Sequence, residues 1–334
     1  PIFNNLDLST QELLTEIIHR NCKTPPKHFD IIIFPIIDWH FRFQRPQQLA
    51  VNLAKLGHRI FYVKTGFCQS QNPEVNLLQE NIFLVELSRG QTPVKFYTSL
   101  SDENVDVMAR SVQILKDTFL INSAVMMVDL PFWRKLVLSL KSSYGWKLVY
   151  DCMDLHTGFS NSNELTALDE DLLLKHSDLT VTTSHLLYNR VKADDPNTIH
   201  VPNATDYEYF HQAANPMNVD ELKGISPPII GYYGAIADWF DTELVGDLAV
   251  SHPEWSFVLI GSTYLAELRP IKNLPNIYLL GEKPYSEISG FLSHFDVCII
   301  PFKQCPLTQA TNPVKMYEFL SAGKPIVCTK LNEV

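Results

Sequence analysis

Residues 29–63 read FDIIIFPIIDWHFRFQRPQQLAVNLAKLGHRIFYV, and this stretch decides the fold. FDIIIFPII is a continuous apolar run rich in β-branched residues, the composition of a strand buried on both faces. RPQQLAVNLAKLG then reads as a helix. Pro46 suits a first turn, Leu49, Leu53 and Leu56 mark an apolar face, and Gly57 ends it. RIFYV is the next strand. Strand, helix and strand in one short stretch make a β-α-β unit, whose two strands run parallel.

Outward from this unit the pattern repeats. NIFLVEL, AVMMVDL, WKLVYDCMD, DLTVTTS and TIHVP are short apolar runs separated by helical or loop segments. That alternation predicts an α/β fold, a parallel sheet with helices on both faces. Residues 1–28 read as a polar helical lead-in, with Ser9 or Thr10 as N-cap and Glu12 in the first turn. Over 203–228 the chain turns polar and carries three prolines, the mark of a linker. A second alternating set follows: strand IIGYYGAI, a helix around 240–250, strands SFVLIGS and NIYLLG, and a helix at 285–294. Strand DVCIIPF, the helix of NPVKMYEFLSAGKP and a buried strand PIVCT complete it. The expected organisation is a Rossmann-like doubly wound domain over 29–210, a linker over 211–228 and a second, incomplete Rossmann-like domain over 229–334. In such sheets ligands bind outside the carboxyl ends of the strands, so the expected site is a cleft between the two edges.

Composition fits this picture. A chain of 334 residues suits two domains, and 46% hydrophobic with 19% charged residues is a globular balance. The net charge of −10 argues against a general nucleic-acid binder. Cys22, Cys68, Cys152, Cys298, Cys305 and Cys328 are scattered without CxxC spacing, which points to reduced thiols in a cytoplasmic protein. No apolar run reaches the roughly 18 residues of a spanning helix, and no signal peptide is visible. The chain starts at Pro1 and stops at KLNEV, which reads as a fragment.

Functional residues should collect at strand ends. After the first strand, IIDWHFRFQRPQ lacks glycine, so it is neither a Walker loop nor a dinucleotide fingerprint. If extended, it puts His40, Arg42 and Gln44 on one side and Trp39, Phe41 and Phe43 on the other, with Arg45 following. The alternative is an amphipathic edge with solvated arginines. After KLVYD come Asp151, Asp154 and His156, able to orient a sugar hydroxyl or move a proton, or to form a structural hydrogen bond. Asn203 reads as turn chemistry. In the second half Gly234 and Gly261 stand at strand ends where backbone must approach closely, and Ser262 can donate to a phosphate or sugar oxygen. In QATNPVKMYEFLSAGKP, Thr311 or Asn312 reads as a cap and Pro313 as the first helical residue. That helix start attracts phosphate, and Lys315 adds positive charge. Glu318 lies on the same face one turn deeper, and its acceptor-only carboxylate suits the vicinal hydroxyls of a ribose. A surface Lys–Glu pair is the alternative, but Tyr317, Phe319, Leu320 and the apolar strand beyond favour a half-buried site.

NPVKMYEFLSAGKPIV closely resembles the nucleotide-sugar motif of retaining glycosyltransferases of the GT-B fold, in the family-4-like group. DWHFRFQRPQQLA, YDCMDLHTGF, SDLTVTTS, VPNATDYEYF and GYYGAIADWFDTELV resemble a bacterial subfamily of teichuronic acid and capsule biosynthesis transferases. The likeness runs from about residue 29 to 334. It implies two Rossmann-like domains facing a cleft, the first for the acceptor and the second for the donor. By the same resemblance Glu318 holds the donor ribose, Asn312, Pro313 and Val314 lie against the diphosphate, and Gly234 and Gly261 line the donor site. The loops around Arg42–Arg45 and Asp151–His156 face acceptor and transferred sugar. His40, Arg42 and Gln44 are thus acceptor candidates, and Arg45, Asp154 and His156 catalytic ones.

This sequence departs from the pattern twice. The family motif is Glu, seven residues, Glu, but the first position here is Ala310. Many relatives also carry Arg and Lys after the first strand of the second domain, where GAIADWFD offers neither; Lys315 or an arginine of the first domain would compensate. The implied activity is transfer of a sugar from a nucleoside-diphosphate sugar, with UDP or GDP favoured, to a glycan or lipid-linked acceptor with retention. It serves bacterial cell-envelope polysaccharide synthesis in the cytoplasm or at the inner face of the membrane. No basic amphipathic helix marks a membrane contact. No Asp-x-Asp sits at a strand end, so no cofactor and no divalent metal are expected. The alternatives are a nucleotide-sugar epimerase or phosphorylase on the same fold, and a non-catalytic nucleotide- or glycan-binding module.

Overall fold

The computed structural model describes residues 29–334 apart from 97, 98, 161, 163, 216, 264 and 265. The expected lead-in helix over 1–28 lies outside the described residues. The chain forms two compact units. One runs up to Thr182 and adds Leu187–Val201; the other takes Thr183–Leu186 and Pro202–Val334.

In the first unit β1 (Asp30–Phe34), α1 (Arg45–Lys55) and β2 (Ile60–Val63) form the β-α-β unit of the opening stretch, with β1 and β2 parallel. β3 (Glu74–Gln79) and β4 (Ile82–Glu86) follow, then α2 (Asp102–Phe119), β5 (Ala124–Val128) and α3 (Arg134–Tyr144). β6 (Lys147–Cys152), α4 (Glu164–His176), β7 (Leu179–Thr182), α5 (His185–Lys192, whose first two residues belong to the second unit) and β8 (Thr198–His200) complete the set. The sheet order is β3-β4-β2-β1-β5-β6-β7-β8. Every pairing is parallel except β3 with β4. Strand β3 does not stand out in the sequence because EVNLLQ is half polar, as suits an antiparallel edge with one wet face. β1 is buried along its whole length, and Phe61, Phe83 and Phe119 pack ring to ring beside it, at centroid distances of 5.0–5.2 Å. Each such ring contributes about 1.5–3 kcal/mol of burial. Helix α1 corrects one detail: its buried stripe is Gln47, Ala50 and Ala54, while Leu56 is 66% exposed beside the left-handed Gly57 that ends the helix.

The second unit contains α6 (Tyr207–His211), β9 (Ile229–Tyr233), α7 (Thr242–Ser251), β10 (Ser256–Ile260) and β11 (Ile277–Leu279). It continues with α8 (Tyr285–Ser293), β12 (Val297–Ile300), α9 (Pro306–Gln309), α10 (Val314–Ser321) and β13 (Ile326–Cys328). Its sheet is wholly parallel in the order β11-β10-β9-β12-β13, with the switch point beside β9. Two expectations change here. The polar stretch read as a linker is built into this unit, because Phe210, Ala213 and Leu222 are buried in the same core as Ile229 and Phe291. Strand β13 is not buried: it is the edge of the described sheet, and Val327 is 61% exposed.

The five cysteines among the described residues are free thiols. No helix among those residues is long and apolar enough to cross a membrane.

Candidate active site

In the second unit the carboxyl ends of β9 and β10 are closed by Gly234 and Gly261, with φ of +134° and +150°, where a side chain is strained. The two glycines touch. A Cβ on Gly261 would lie 1.7 Å from the carbonyl oxygen of Gly234. The loops are laced to the strand ends by backbone bonds, Gly234 N to Ile260 O at 2.8 Å and Ile236 N to Ser262 O at 2.9 Å. The close backbone approach expected of Gly234 and Gly261 is therefore an approach of one loop to the other.

Helix α10 starts against this edge. Its first residue is Val314, one position later than expected, because Pro313 keeps an extended ψ of 113° and serves as the cap. Pro313 and Asn312 are buried ahead of it. Asn312 accepts from Asn203 N at 3.1 Å, while its own carbonyl accepts from Asn203 Nδ2 at 2.7 Å. Its Nδ2 donates to Tyr317 Oη and to Glu333 Oε2, each at 3.2 Å. Asn203 is thus more than a turn residue: it clamps the approach to the helix.

Lys315 and Glu318 share the face of α10 that meets β9. A Cβ on Gly234 would lie 2.0 Å from Lys315 Cε, so the end of that lysine side chain lies directly against the glycine. Lys315 Nζ stands 6.0 Å from the centroid of the Tyr232 ring. Glu318 is buried at 6% exposure, and Tyr233 Oη donates to its Oε2 at 2.6 Å. Burial pushes the Glu318 carboxyl up; the Tyr233 hydrogen bond and the Lys315 charge draw it back. The surface-pair alternative is thereby excluded. Leu320, expected around Glu318, points outward at 59% exposure, and Phe319 fills the inner position. Ala310 is fully buried at the end of α9.

In the first unit the relevant edge is that of β1, β5 and β6, where the sheet order reverses. Arg45, the first residue of α1, binds Asp151 with both arms of its guanidinium, at 2.7 and 3.0 Å. Both are buried, so Arg45 is committed to an ion pair inside the protein. Beside this pair stands Asp129, just past β5. Burial and the Asp151 carboxylate push Asp129 well above the usual carboxylate range, and Arg45 offsets only part of this. His156 is buried as well and hydrogen-bonds the Asp129 backbone; burial holds its imidazole down to about 4, against the pull of Glu170. Asp129 Oδ2 and His156 Nε2 are both enclosed without a hydrogen-bond partner. Glu170 accepts from Tyr150 Oη at 2.9 Å and from Arg190 at 3.0 Å, closing the polar cluster. Asp154 is half-buried nearby in sequence.

His40 and Gln44 are exposed and Arg42 half-buried. The expected alternation fails at Phe41, which is 55% exposed, because the chain turns here instead of extending: Phe41 N donates to Asp38 O at 3.3 Å. Gln47, fully buried, fixes the turn by donating to the carbonyls of Asp38 and Arg42 at 3.2 and 2.6 Å. Sequence reading passed over Asp129, Glu170, Gln47 and Tyr233. Asp129 had a signal, an acid closing an apolar strand; Tyr233 had none, since it reads as core.

No protein-family profile matches the sequence. A Bacillus subtilis (strain 168) protein, TuaH, provisionally named a teichuronic acid biosynthesis glycosyltransferase, is 28% identical over 209 residues, 58% of this chain. The aligned part is 53% of that relative, so the chain spans about half the length of the curated protein it matches. Among solved structures, the sucrose-phosphate synthase of Thermosynechococcus elongatus superposes with a TM-score of 0.71 at 16% identity, over 91% of this chain and 82% of that one. Anabaena Alr3699/HepE, solved in complex with UDP-glucose, gives 0.64 at 15% identity, over 92% and 82%. The fold is GT-B.

Proposed function

We propose that the chain is a retaining glycosyltransferase. It moves a hexosyl group from a nucleoside-diphosphate sugar, with uridine as the favoured nucleoside, to a hydroxyl of a glycan or lipid-linked saccharide in bacterial cell-envelope synthesis. One observation carries this reading: the Lys315–Glu318 face of α10 packs on the ends of β9, with Glu318 buried and hydrogen-bonded. A buried carboxylate one turn below a lysine at a helix N-terminus matches a ribose followed by a diphosphate. The UDP-glucose complex of HepE, on the same fold, supports uridine.

In this reading Glu318 accepts from the ribose hydroxyls. Gly234, Gly261, Ser262, Asn312, Pro313 and Val314 form the donor-side wall. As the bond from the anomeric carbon to the phosphate oxygen breaks, charge builds on the diphosphate, and Lys315 with the α10 amides stabilises it. On the first unit His40, Arg42 and Gln44 are assigned to the acceptor, and Asp154 with the neutral His156 to the sugar hydroxyls, His156 through a movement that uncovers its enclosed Nε2. Arg45 acts indirectly, by holding Asp151. The reaction is placed in the cytoplasm, with a peripheral membrane contact where the acceptor is lipid-linked.

The test is a calorimetric titration with UDP, GDP and ADP beside Glu318→Ala. Saturable binding of UDP that the variant loses is the expected result; equal binding by both proteins would sink the reading. A second reading rests on Ala310, where an acid of the resembled motif is replaced by a fully buried methyl. It makes the chain a nucleotide-binding module, identified by tight UDP binding without sugar transfer from UDP-glucose.

A further inference from the structure

Tyr233 is the last residue of β9, and its hydroxyl is the one hydrogen-bond donor that the described residues offer to the Glu318 carboxylate. The bond uses Oε2 and leaves Oε1 uncommitted. Both side chains are buried, at 7% and 6% exposure. Phe319, the next residue of α10, stands edge-on to the Tyr233 ring at 5.2 Å and 88°, so the ring has little freedom to swing. One strand end therefore meets α10 twice: Lys315 lies against Gly234, and Tyr233 holds Glu318. We infer that Tyr233 is a positioning residue for donor recognition, whose hydroxyl fixes the Glu318 carboxylate so that Oε1 meets the ribose hydroxyls of a nucleoside diphosphate and thereby discriminates ribose from 2′-deoxyribose.

This inference rests on the donor-site reading of Glu318. A carboxylate free to rotate re-aims at whichever hydroxyl is present. One held by a buried phenol cannot, so a missing 2′-hydroxyl leaves an acceptor unpaired and binding suffers. Tyr233 also acts on charge. Burial opposes ionisation of Glu318, and the groups favouring it are the Tyr233 hydroxyl on β9 and Lys315 on its own helix. From the other packed elements, Cys298 on β12 and Tyr285 on α8 face Tyr233, and Lys324 faces Cys298; burial raises the Tyr233 phenol and Cys298 thiol, so both stay neutral at pH 7. Removing the Tyr233 hydroxyl thus shifts Glu318 protonation to higher pH.

The experiment compares wild type, Tyr233→Phe and Glu318→Gln by calorimetric titration with UDP and 2′-deoxy-UDP from pH 5 to 8, with circular dichroism to verify folding. Tyr233→Phe is expected to weaken UDP binding about tenfold, the scale of one hydrogen bond to a charged group. It should also shrink the UDP to 2′-deoxy-UDP preference and lose binding at a higher pH than wild type. A change in stability alone would move neither the preference nor the pH midpoint. If Tyr233→Phe matches wild type in affinity, preference and midpoint while Glu318→Gln loses UDP, the inference falls and the donor-site reading stands. If Glu318→Gln binds UDP as wild type does, that reading falls and takes the inference with it. A second measurement needs no Tyr233 variant: the Glu318 carboxyl 13C resonance, assigned by its absence in Glu318→Gln. It should keep its H2O/D2O isotope shift from the Tyr233 hydroxyl when UDP is added; loss of that shift would show the hydrogen bond broken in the complex and overturn the inference.

Discussion

A Cβ on Gly261 would sit 1.7 Å from the carbonyl oxygen of Gly234, so the loops after the two central strands of the second unit cross at a distance only glycine permits. Both positions also carry left-handed φ values. Gly261→Ala therefore forces backbone apart and adds conformational strain, with an expected loss of about 3 kcal/mol or more in urea denaturation. Gly66→Ala is the control: a Cβ there meets nothing within 4 Å, and the change should stay within about 0.5 kcal/mol. Equal stability of the two variants would contradict the crossing.

In the first unit the Arg45–Asp151 ion pair ties the start of α1 to the end of β6. Arg45→Met leaves two buried carboxyls, Asp151 and Asp129, without their cation. The expected cost is about 3–5 kcal/mol, and Arg45→Met/Asp151→Leu should recover part of it, because only Asp129 is then left without a cation and the Asp151 carboxylate no longer stands beside it. A double-mutant cycle by urea denaturation checks this. A cycle with no coupling would mean the pair is incidental to the fold.

His156 gives a pH signature. Its imidazole is held down to about 4 in the folded protein, against about 6.5 unfolded. Between those values the unfolded chain binds the proton and the folded one does not. The contribution is complete above about pH 6.5 and is lost as pH falls toward 4, by roughly 3 kcal/mol in all. Asp129, with its raised carboxyl, acts in the opposite sense over part of that range, so the comparison must be a difference. Wild type should lose stability relative to His156→Gln as pH falls from about 6.5 to 4. A flat difference would place the imidazole in contact with water.

The fold is written more plainly in the sequence than the site is, for physical reasons. The run IIIF is short, β-branched and bounded by turn residues, which marks a strand buried on both faces, so β1-α1-β2 and the second alternating set were legible. Glu318 was legible too, because a carboxylate and a lysine three residues apart share a helix face whatever surrounds them. Their partners were not. Tyr233 lies in the apolar run IIGYY, where its hydroxyl is invisible to periodicity, and its bond to Glu318 joins residues 85 apart. Phe210, Ala213 and Leu222 sit among polar and proline residues that mimic a linker, although tertiary packing buries them. Phe41 shows the limit of a period-two reading in a turn: alternation predicts faces only where the backbone is extended.

Asn312 supplies the last case. Its Nδ2 donates to Glu333 Oε2 at 3.2 Å while its Oδ1 accepts from Asn203 N at 3.1 Å, so the side chain needs one donor end and one acceptor end. Asn312→Asp keeps the size and the bond from Asn203 but turns the donor into an oxygen facing the Glu333 carboxylate and the Tyr317 hydroxyl. Tyr317 can reverse its hydroxyl and donate; Glu333 cannot. Glu333 also accepts from His185 N at 2.8 Å and is nearly buried, so it has little room to retreat. The expected loss is about 1–3 kcal/mol at pH 7, the cost of an unpaired buried polar group. It should shrink below about pH 4, where one carboxyl takes a proton and restores the donor. Stability of Asn312→Asp and wild type measured at pH 7 and pH 4 checks both halves. A loss that did not shrink at low pH would locate the damage in packing instead of charge.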